Sequence, residues 1–294
     1  MSAGVVVVGS ANVDLVYRVA RLPMPGETVD AKSLTLYPGG KGLNQAVAAR
    51  RGGATTTFIA AIGRDPHAAV ITEVLATDSI LSMLRQHDNA LTGAAVVTIE
   101  DSGENSIVVL AGANAHLDSL SADDEKAIRE SSVLVCQLEI PLRGIEDALT
   151  IAREAGTTVV LNPAPVRALS AQLLSAVDVL IVNEHEAEQL SVSELRLPCV
   201  ITTLGPAGAV VAIRGKDPIL IPARKAVAID TVGAGDTFVG VFAAELADGA
   251  DFVSAARRAC VAASLSVETP GAVPSIPTHR AVDEAIRLER VETQ

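Results

Sequence analysis

The sequence predicts an α/β fold with a central, mostly parallel β-sheet and a small second sheet outside it. Short β-branched runs alternate with longer, alanine-rich amphipathic stretches, and two segments interrupt this alternation. Such alternation is typical of βαβ units on a parallel sheet. The chain has 294 residues, 49% of them hydrophobic, so it can bury one large α/β core or two smaller ones. One large domain with an appendage is the starting expectation.

The β-branched runs mark the predicted strands in order. The first, VVVVG, precedes the helix-like KGLNQAVAARRGG, and the later runs are TTTFIAAIG, SVLVCQLE, TTVVLNPAP, VDVLIVNE and PCVITTLG. Because ligands of such sheets bind beyond the carboxyl ends of the strands, polar residues just after each run are candidate site residues. They are Asn12, Asp14, Glu139, Asn162, Asn183 and Thr203.

The two interrupting segments predict the small sheet. Residues 15–38 carry prolines and alternating polarity, and residues 92–112 have the pattern of a hairpin turning at Asp101-Ser102-Gly103. A sheet at the mouth of a ligand site can act as a lid, and an ordinary surface hairpin is the alternative. The lid residues expected to share one face towards a ligand are Ala95, Val97 and Val109.

Composition limits the organisation and the partners of the protein. No linker rich in Pro, Gly or Ser divides the chain, so we expect one domain over residues 1–294 with the lid inserted in it. A net charge of −12 without a dense basic cluster argues against binding to nucleic acid or to an anionic membrane. Apolar runs too short to span a bilayer, and an N-terminus without the basic lead of a signal peptide, favour a cytoplasmic protein.

The cysteines and histidines suggest no metal chemistry. Cys136, Cys199 and Cys260 are far apart and without CxxC pairing, so they are predicted to be buried free thiols. The five histidines lack metal-ligand spacing.

The strongest candidate for chemistry is the segment DTVGAGDTF at 230–238, before a helix-like VGVFAAEL. A strand end, the turn Gly233-Ala234-Gly235 and a helix start would bring several backbone N–H groups to one point, which is an anion hole. Asp236 at its lip could accept a proton from an attacking hydroxyl while the hole stabilises a transferring phosphoryl group. A simple N-cap role for Asp236 is the alternative.

Three other motifs are weaker by themselves. In PGGKGLNQ at 38–45, Gly40 and Gly42 would let the backbone approach a ligand and Asn44 offers both a donor and an acceptor; a flexible turn is the alternative. Asn183 and Glu186 could face a hydrated Mg²⁺ and nucleotide phosphates, or could simply start a solvated acidic helix. The tight turn that would let a nucleotide approach the backbone is Thr203-Leu204-Gly205-Pro206-Ala207-Gly208. Neither a Walker loop nor a GxGxxG fingerprint is present.

Taken together and in this order, these motifs resemble the ribokinase-like carbohydrate kinase family from Val5 to about Ser275. PGGKGLNQA and DTVGAGDTF are the family's hallmarks, and QLEIP at 137–141, LNPAP at 161–165, GEN at 103–105 and AGAN at 111–114 add to the match. The resemblance implies a three-layer αβα fold with a β lid that often pairs with a second subunit's lid in a homodimer. It implies ATP-dependent phosphorylation of a sugar, with D-ribose and its 5-hydroxyl as the leading substrate.

The resemblance also assigns roles to residues, with Asp236 as the general base and Gly233 to Gly235 as the anion hole. The sugar would be held by Asn12, Asp14, Gly40, Lys41, Gly42, Asn44 and Glu139. ATP would be held by Asn183, Thr203, Gly205 and Gly208, with Glu186 near the magnesium ion and Gly235 near the phosphates. An activating K⁺ would be bound by Asp230, Val232, Ser266, Thr269, Gly271 and Ser275, several of them through carbonyls.

Departures from the family pattern and rival functions stay open at this stage. Pro66-His67 replaces the usual phenylalanine and glycine after Asp65, Cys260 stands where Asn or His often lies beside adenine, and Glu268-Thr269 replaces Thr-Arg. The chain could phosphorylate another furanose such as deoxyribose, fructose or a nucleoside, although only 2% of its residues are aromatic. A non-catalytic sugar sensor is disfavoured because a pure binder has no use for Asp236 beside an anion hole.

Overall fold

The computed structural model describes residues 4–292, with side chains described up to residue 289. Its strands are β1 (Gly4–Val8), β2 (Asn12–Val19), β3 (Ala31–Gly39), β4 (Thr55–Gly63), β5 (Leu81–His87), β6 (Gly93–Glu100), β7 (Asn105–Leu110), β8 (Val133–Cys136), β9 (Thr158–Leu161), β10 (Val179–Asn183), β11 (Cys199–Thr203), β12 (Ala209–Ile213) and β13 (Ile219–Ile221). Its α-helices are α1 (Lys41–Arg51), α2 (Pro66–Thr77), α3 (Ala122–Glu130), α4 (Leu142–Ala155), α5 (Ala171–Leu174), α6 (Glu184–Gln189), α7 (Ala234–Ala247), α8 (Phe252–Ser266), α9 (Ala272–Ser275) and α10 (His279–Glu292).

The large sheet is mostly parallel, as the sequence predicts. Its strand order is β13-β12-β11-β10-β9-β8-β1-β4-β5 across the described residues. In this order, all neighbouring strands between β11 and β5 pair in parallel. Strands β12 and β13 are added at the other edge by antiparallel pairing. Strands with apolar runs on both faces suit a sheet that is covered by helices on both sides.

Alternate residues of the central strand β1 point into two separate cores, which makes the architecture three-layered. Val5 and Val7 pack in the core that contains Phe242 of α7, whereas Val6 and Val8 pack in the core that contains Ile145 of α4. The two-residue period of a strand explains this division. The predicted αβα fold is confirmed.

The small sheet is also confirmed, and its register defines its two faces. It has the order β3-β2-β6-β7 among the described strands, and β6 and β7 turn at residues 101–104. We call this sheet the lid. Asp14 lies beside Ala95, which lies opposite Val109, so Ala95, Val97 and Val109 share the face of Asp14, as predicted. The lid begins at Asn12, earlier than the expected residue 15, because β2 continues almost directly from β1.

Local signals fix where several helices start and stop. The Asp65 side chain accepts hydrogen bonds from the first turn of α2, and Pro66 occupies its first turn. Ser121 and Asp124 form a capping box at α3. Helix α4 ends at Gly156, whose φ of 75° is favourable for glycine.

The cysteines behave as expected from their spacing. Cys136, Cys199 and Cys260 are free and buried, and burial raises the pKa of the Cys199 and Cys260 thiols to about 12. Within residues 4–292, no helix combines the length and the apolar character that a bilayer crossing requires.

Candidate active site

Polar residues that follow the strands, some predicted and some not, meet at the carboxyl edge of the large sheet. Ser10 follows β1, Gln137 follows β8, Asn162 follows β9, and Asn183 ends β10. Helices α1 and α7 both begin at this edge, and they pack closely because Gly240 of α7 lies against Ala48 of α1, where a Cβ would clash. Parallel strands deliver their polar ends to one place, which is why distant motifs converge.

Asp236 is the third residue of α7 and points into the protein. It is 7% exposed, its Oδ2 accepts a hydrogen bond of 2.9 Å from Asn44 Nδ2, and its Oδ1 accepts one of 2.8 Å from Gln45 Nε2. The N-cap of α7 is Gly233, so the carboxylate does not cap its own helix.

The turn before Asp236 has the form of an anion hole. Gly233 has a φ of 77°, in the left-handed region that glycine tolerates. In the described part of the chain, the N–H groups of Gly235 and Asp236 have no hydrogen-bond acceptor, as expected in the first turn of a helix. Gly235 is exposed, and a Cβ there would meet nothing within 4 Å, so the space beside these donors is open.

Carboxylates and a lysine lie near Asp236. Glu139 Oε2 accepts hydrogen bonds of 2.5 Å from Ser10 Oγ and 3.0 Å from the Lys41 N–H. Burial raises the pKa of Asp14 to about 6, and the nearby carboxylates of Glu139 and Asp236 add to that effect. The Asp236 carboxylate in turn raises the pKa of Lys41, followed by Glu139 and Glu186, against the opposing effect of burial. These electrostatic couplings indicate that the charged groups lie close to one another.

Asn12 and Asn44 are both hydrogen-bonded to other buried side chains. Asn12 Oδ1 accepts a 2.7 Å hydrogen bond from Asn114 Nδ2, and Asn114 Oδ1 accepts one of 2.9 Å from the Ala11 N–H. Asn44 donates to Asp236, yet its own Oδ1 is buried with no partner among the described residues. An unpartnered buried carbonyl is costly unless a ligand donates to it, so Asn44 suits a hydroxyl-bearing ligand.

The glycines of the PGGKG motif provide close backbone approach. Gly40 has a φ of 88°, and a Cβ at Gly39 would fall on the Asp14 carboxylate. A Cβ at Gly42 would collide with the backbone of Gly9 and Ser10. The motif therefore brings Lys41 and Asn44 against the end of β1 and against the lid.

The predicted nucleotide residues are exposed or half-buried, except for the buried Gly208, and they are locally bonded. Asn183 and Glu186 form a capping box, with Glu186 N–H to Asn183 Oδ1 at 2.8 Å and Asn183 N–H to Glu186 Oε2 at 2.9 Å. The Asn183 amide nitrogen and the second Glu186 oxygen are not used by the box. After β11, Leu204 N–H donates to Gly208 O at 2.7 Å, and Gly208 has a φ of 103°. The turn Gly205-Pro206-Ala207 is a short 3-10 helix on the surface.

Asp230 brings together two of the loops predicted to hold a monovalent cation. Its Oδ1 accepts from the Val232 N–H at 3.0 Å, and its Oδ2 accepts from the Gly271 N–H at 2.8 Å. The Ser266 carbonyl accepts from the Thr269 N–H at 3.3 Å. Ser275 is buried in α9, and its hydroxyl donates to the Ala272 carbonyl. Carboxylate and backbone carbonyl oxygens are the ligands that a hard cation prefers, so the chemistry of these residues suits such an ion.

The departures noted in the sequence have local structural roles. Asp65 caps α2, and its Oδ2 accepts a 2.6 Å hydrogen bond from the Thr92 N–H, just before the lid strand β6. Glu268 pairs with Arg224 at 2.9 Å. Cys260 is 4% exposed within α8.

Four residues of the site were missed by the sequence reasoning: Ser10, Gln45, Asn114 and Gln137. Ser10 comes two residues after β1, and Gln137 directly follows β8, so their position at strand ends was the available signal. Gln45 and Asn114 lie in the motifs PGGKGLNQ and AGAN, which was the signal for these two. What the sequence did not show is that their side chains contact Glu139, Asn12 and Asp236.

Comparisons with known proteins support a sugar-kinase site. A model of the pfkB family of carbohydrate kinases matches residues 2–279. The chain is 39% identical to a ribokinase of Haemophilus influenzae, over 93% of this chain and 95% of the relative. It is similar in structure to Arabidopsis thaliana ribokinase complexed with ribose and ATP, with a TM-score of 0.92, 32% identity, and coverage of 98% of this chain and 99% of that chain. A Methanocaldococcus jannaschii nucleoside kinase is 22% identical, covers 97% of this chain and 98% of its own, and has a TM-score of 0.88, a likeness of fold alone.

Proposed function

The chain belongs to the pfkB family of carbohydrate kinases, and from that premise we propose that it transfers the γ-phosphoryl group of ATP to the 5-hydroxyl of D-ribose. The products are ribose 5-phosphate and ADP. ATP-dependent phosphotransfer to a carbohydrate follows from the family. D-ribose as substrate is supported by the names of the relatives and by the ribose and ATP bound in the Arabidopsis enzyme.

The observation that carries the proposal is a buried carboxylate beside open backbone donors. Asp236 lies at the start of α7, next to the unpaired N–H groups of Gly235 and Asp236 itself. In the proposed reaction the oxygen of the sugar 5-hydroxyl attacks the γ-phosphorus, and ADP leaves. The Asp236 carboxylate accepts the proton of that hydroxyl. The N–H groups and the α7 dipole stabilise the charge on the transferring phosphoryl oxygens.

The pocket in front of Asp236 suits the ring hydroxyls of a furanose. Asp14 and Glu139 offer carboxylate acceptors, and the buried Oδ1 of Asn44 awaits a donor. An analogue that lacks a hydroxyl leaves such groups unpaired, which is the physical source of strong discrimination. We therefore expect deoxyribose to react more slowly than ribose.

A nucleoside is a poorer candidate because the pocket offers few aromatic rings. The chain has two tyrosines, and the register of the lid places Tyr37 beside Asp14 but Tyr17 on the opposite face. Tyr37 alone of the two could stack on a base. Other furanoses stay as rivals for the assay below.

Two ions belong to the proposal. Asn183 and Glu186 would face a hydrated Mg²⁺ on the ATP phosphates, and Mg²⁺ neutralises charge that develops during transfer. Asp230 and the loops at Val232, Ser266, Thr269, Gly271 and Ser275 would hold K⁺ and so order the turn before Asp236. We expect activity to rise with K⁺ far more than with Na⁺ at saturating Mg²⁺; equal rates in both salts contradict the K⁺ site.

A lid-paired homodimer is supported by the lid's outer face. Leu36, Val96 and Val108 lie side by side on the face away from Asp14 and are 45%, 39% and 67% exposed. Apolar patches of this kind commonly mark interfaces, and a second copy offers the same patch in two-fold symmetry. Sedimentation should show a dimer that Val108→Lys converts to monomer; a monomeric wild type contradicts it.

The testing experiment is a coupled ADP-release assay with Mg-ATP and K⁺, comparing ribose, deoxyribose, fructose and adenosine at sub-saturating concentrations. The proposal expects the highest kcat/KM with ribose. A higher value with another sugar keeps the mechanism and corrects the substrate. ADP release with none of them contradicts the kinase assignment and favours a sensor.

A further inference from the structure

We propose that Gln45 is a positioning residue for the base Asp236, and that Gln137 holds Gln45 in place. This inference rests on the proposed function, because it gives Asp236 the role of base. It concerns a buried chain of side-chain amides behind the carboxylate.

The chain of hydrogen bonds joins helices α1 and α7 and the residues that follow β8 and β9. Gln45 Nε2 of α1 donates to Asp236 Oδ1 of α7 at 2.8 Å and to Asn162 Oδ1, at the end of β9, at 3.1 Å. Gln137, after β8, donates from Nε2 to Gln45 Oε1 at 2.6 Å. Gln45 and Gln137 are both 0% exposed, so the network is shielded from water.

The carboxylate sets the direction of every amide in the chain. An ionised carboxylate only accepts hydrogen bonds, so Gln45 must turn its NH₂ group towards Asp236. Its carbonyl then faces Gln137, which must present its own NH₂ group. Reversing either amide would place two acceptors against each other.

This arrangement leaves one buried carbonyl without a partner. Gln137 Oε1 has no hydrogen-bond partner among the described residues, whereas buried polar groups are normally satisfied. A network that served folding alone would not keep such a group, because an unmet buried carbonyl costs about 1–3 kcal/mol. The cost is understandable if the chain serves to orient Asp236.

The two oxygens of Asp236 have different hydrogen-bond partners. Oδ1 is held from behind by Gln45, and Oδ2 is contacted by Asn44, whose free Oδ1 suits a ligand hydroxyl. Two fixed points define the plane of the carboxylate. Without Gln45 the carboxylate can rotate about its Cβ–Cγ bond, and small misplacements of a base reduce turnover strongly.

The primary test is Gln45→Met, which keeps the length of the side chain but removes both hydrogen-bonding groups. With the best sugar substrate of the wild type, we expect kcat to fall about 10- to 100-fold and the sugar and ATP KM values to change by less than about threefold. Gln137→Leu should lower kcat in the same way but less. If the two variants keep wild-type kcat, the proposal is overturned.

A double-mutant cycle shows whether Gln45 acts through Asp236. Asp236→Asn alone should lower kcat by about 10²- to 10⁴-fold, and adding Gln45→Met should lower it no further. An additional loss equal to that of Gln45→Met alone would mean that Gln45 acts independently of the base.

The variant Gln45→Glu gives a signature in the pH profile. At acidic pH the introduced carboxyl group is protonated and can donate to Asp236 as the amide does. At higher pH both groups ionise and repel, so kcat relative to wild type should fall as pH rises. Gln45→Met should be low at every pH, and a flat ratio for Gln45→Glu contradicts the proposal.

Thr157→Val is the matched control for loss of a buried polar group. Thr157 is 5% exposed, at the opposite edge of the sheet, and its hydroxyl donates to the Ile128 and Ser131 carbonyls at 3.1 Å. We expect a lower Tm with unchanged kcat. A wild type inactive on all four sugars overturns the proposed function and the inference together, whereas an active wild type with unaffected Gln45 variants overturns the inference alone.

Discussion

The two sides of the proposed site, one for the sugar and one for the nucleotide, are built in different ways. On the sugar side, side chains bond across 192 residues between Asn44 and Asp236, and across 129 residues between Ser10 and Glu139. On the nucleotide side, Asn183 bonds to Glu186 three residues away; Asn183 is exposed and Glu186 is half-buried. The first half is an interlocked, buried network, and the second is a set of local turns with open backbone groups.

This difference indicates that the sugar side is pre-organised for its ligand and that the nucleotide side is less so. A buried network holds its acceptors in place before the substrate arrives and excludes competing water. Exposed turns adapt to a ligand and contact it mainly through the backbone, so single side chains matter less. Substitutions on the sugar side should therefore change activity most, and those on the nucleotide side should act mainly on ATP affinity.

The largest expected effect comes from removing the base. Asp236→Ala should lower kcat by about 10²- to 10⁴-fold while leaving ATP binding largely intact, since the carboxylate faces Asn44 and Gln45 rather than the open side of the turn. Steady-state kinetics and ATP titration measure both. Asp251→Ala is the control: this exposed N-cap of α8 should cost stability but no turnover. A variant of Asp236 that keeps most of its turnover shows that another group is the base.

The second-largest effect is expected at Gly235, in the turn between the two sides of the proposed site. Gly235→Ala meets no protein atom within 4 Å and has no left-handed φ, so it should stabilise α7 by about 0.5–1 kcal/mol. The added methyl group would occupy the space where phosphoryl oxygens reach the N–H groups, and we expect kcat/KM for ATP to fall about 10- to 100-fold. A raised Tm with lost activity supports the anion hole; unchanged activity contradicts it.

A third prediction concerns Asp14 and pH. Its pKa is raised from 3.8 to about 6, first by burial, so the folded protein binds this proton more tightly than the unfolded chain. Its ionisation therefore costs stability as pH rises through this window. Asp14→Asn should raise Tm relative to wild type at pH 7.5 and lose that advantage at low pH.

The same group should control sugar affinity. In the wild type, the sugar KM should rise as pH falls below about 6, because the protonated carboxyl is a poorer acceptor. In Asp14→Asn, the KM should be about tenfold higher at pH 7.5 and lose this pH dependence. Asp101→Asn removes an exposed lid carboxylate that pairs with Lys32 and should leave the KM unchanged. A wild-type KM that stays flat between pH 5 and 7.5 contradicts the role of Asp14.

The two halves also differ in how far the sequence could predict them. Local patterns sufficed for the strand VVVVG, now β1 at Gly4–Val8, and for the lid hairpin that turns at residues 101–104. They also indicated the helix start at Asn183, where capping depends on residues three apart. The motif DTVGAGDTF indicated Asp236 as a candidate base, and the resemblance to a sugar-kinase family assigned it the same role.

What the sequence could not show is which distant side chains would touch. Gln45 and Gln137 are 92 residues apart, and Asn12 and Asn114 are 102 apart. No local period connects such pairs, and the amides of Gln45 and Gln137 orient only once the carboxylate of Asp236 is placed beside them. The contacts of the buried network on the sugar side could therefore be identified only from the folded structure. Most of the local turns on the nucleotide side could be predicted from neighbouring residues.

The smallest expected effect is at the exposed capping box. Asn183→Ala removes the Oδ1 acceptor of the Glu186 N–H, which should cost about 1 kcal/mol and raise the ATP KM only a few fold, with the sugar KM unchanged. Asn183→Asp keeps the acceptor and so should keep the Tm, but its negative charge near the phosphates should raise the ATP KM further. Thermal unfolding and the two KM values distinguish these outcomes. A collapse of kcat in Asn183→Ala comparable to that of Asp236→Ala would place Asn183 in the interlocked half and remove the contrast between the two sides.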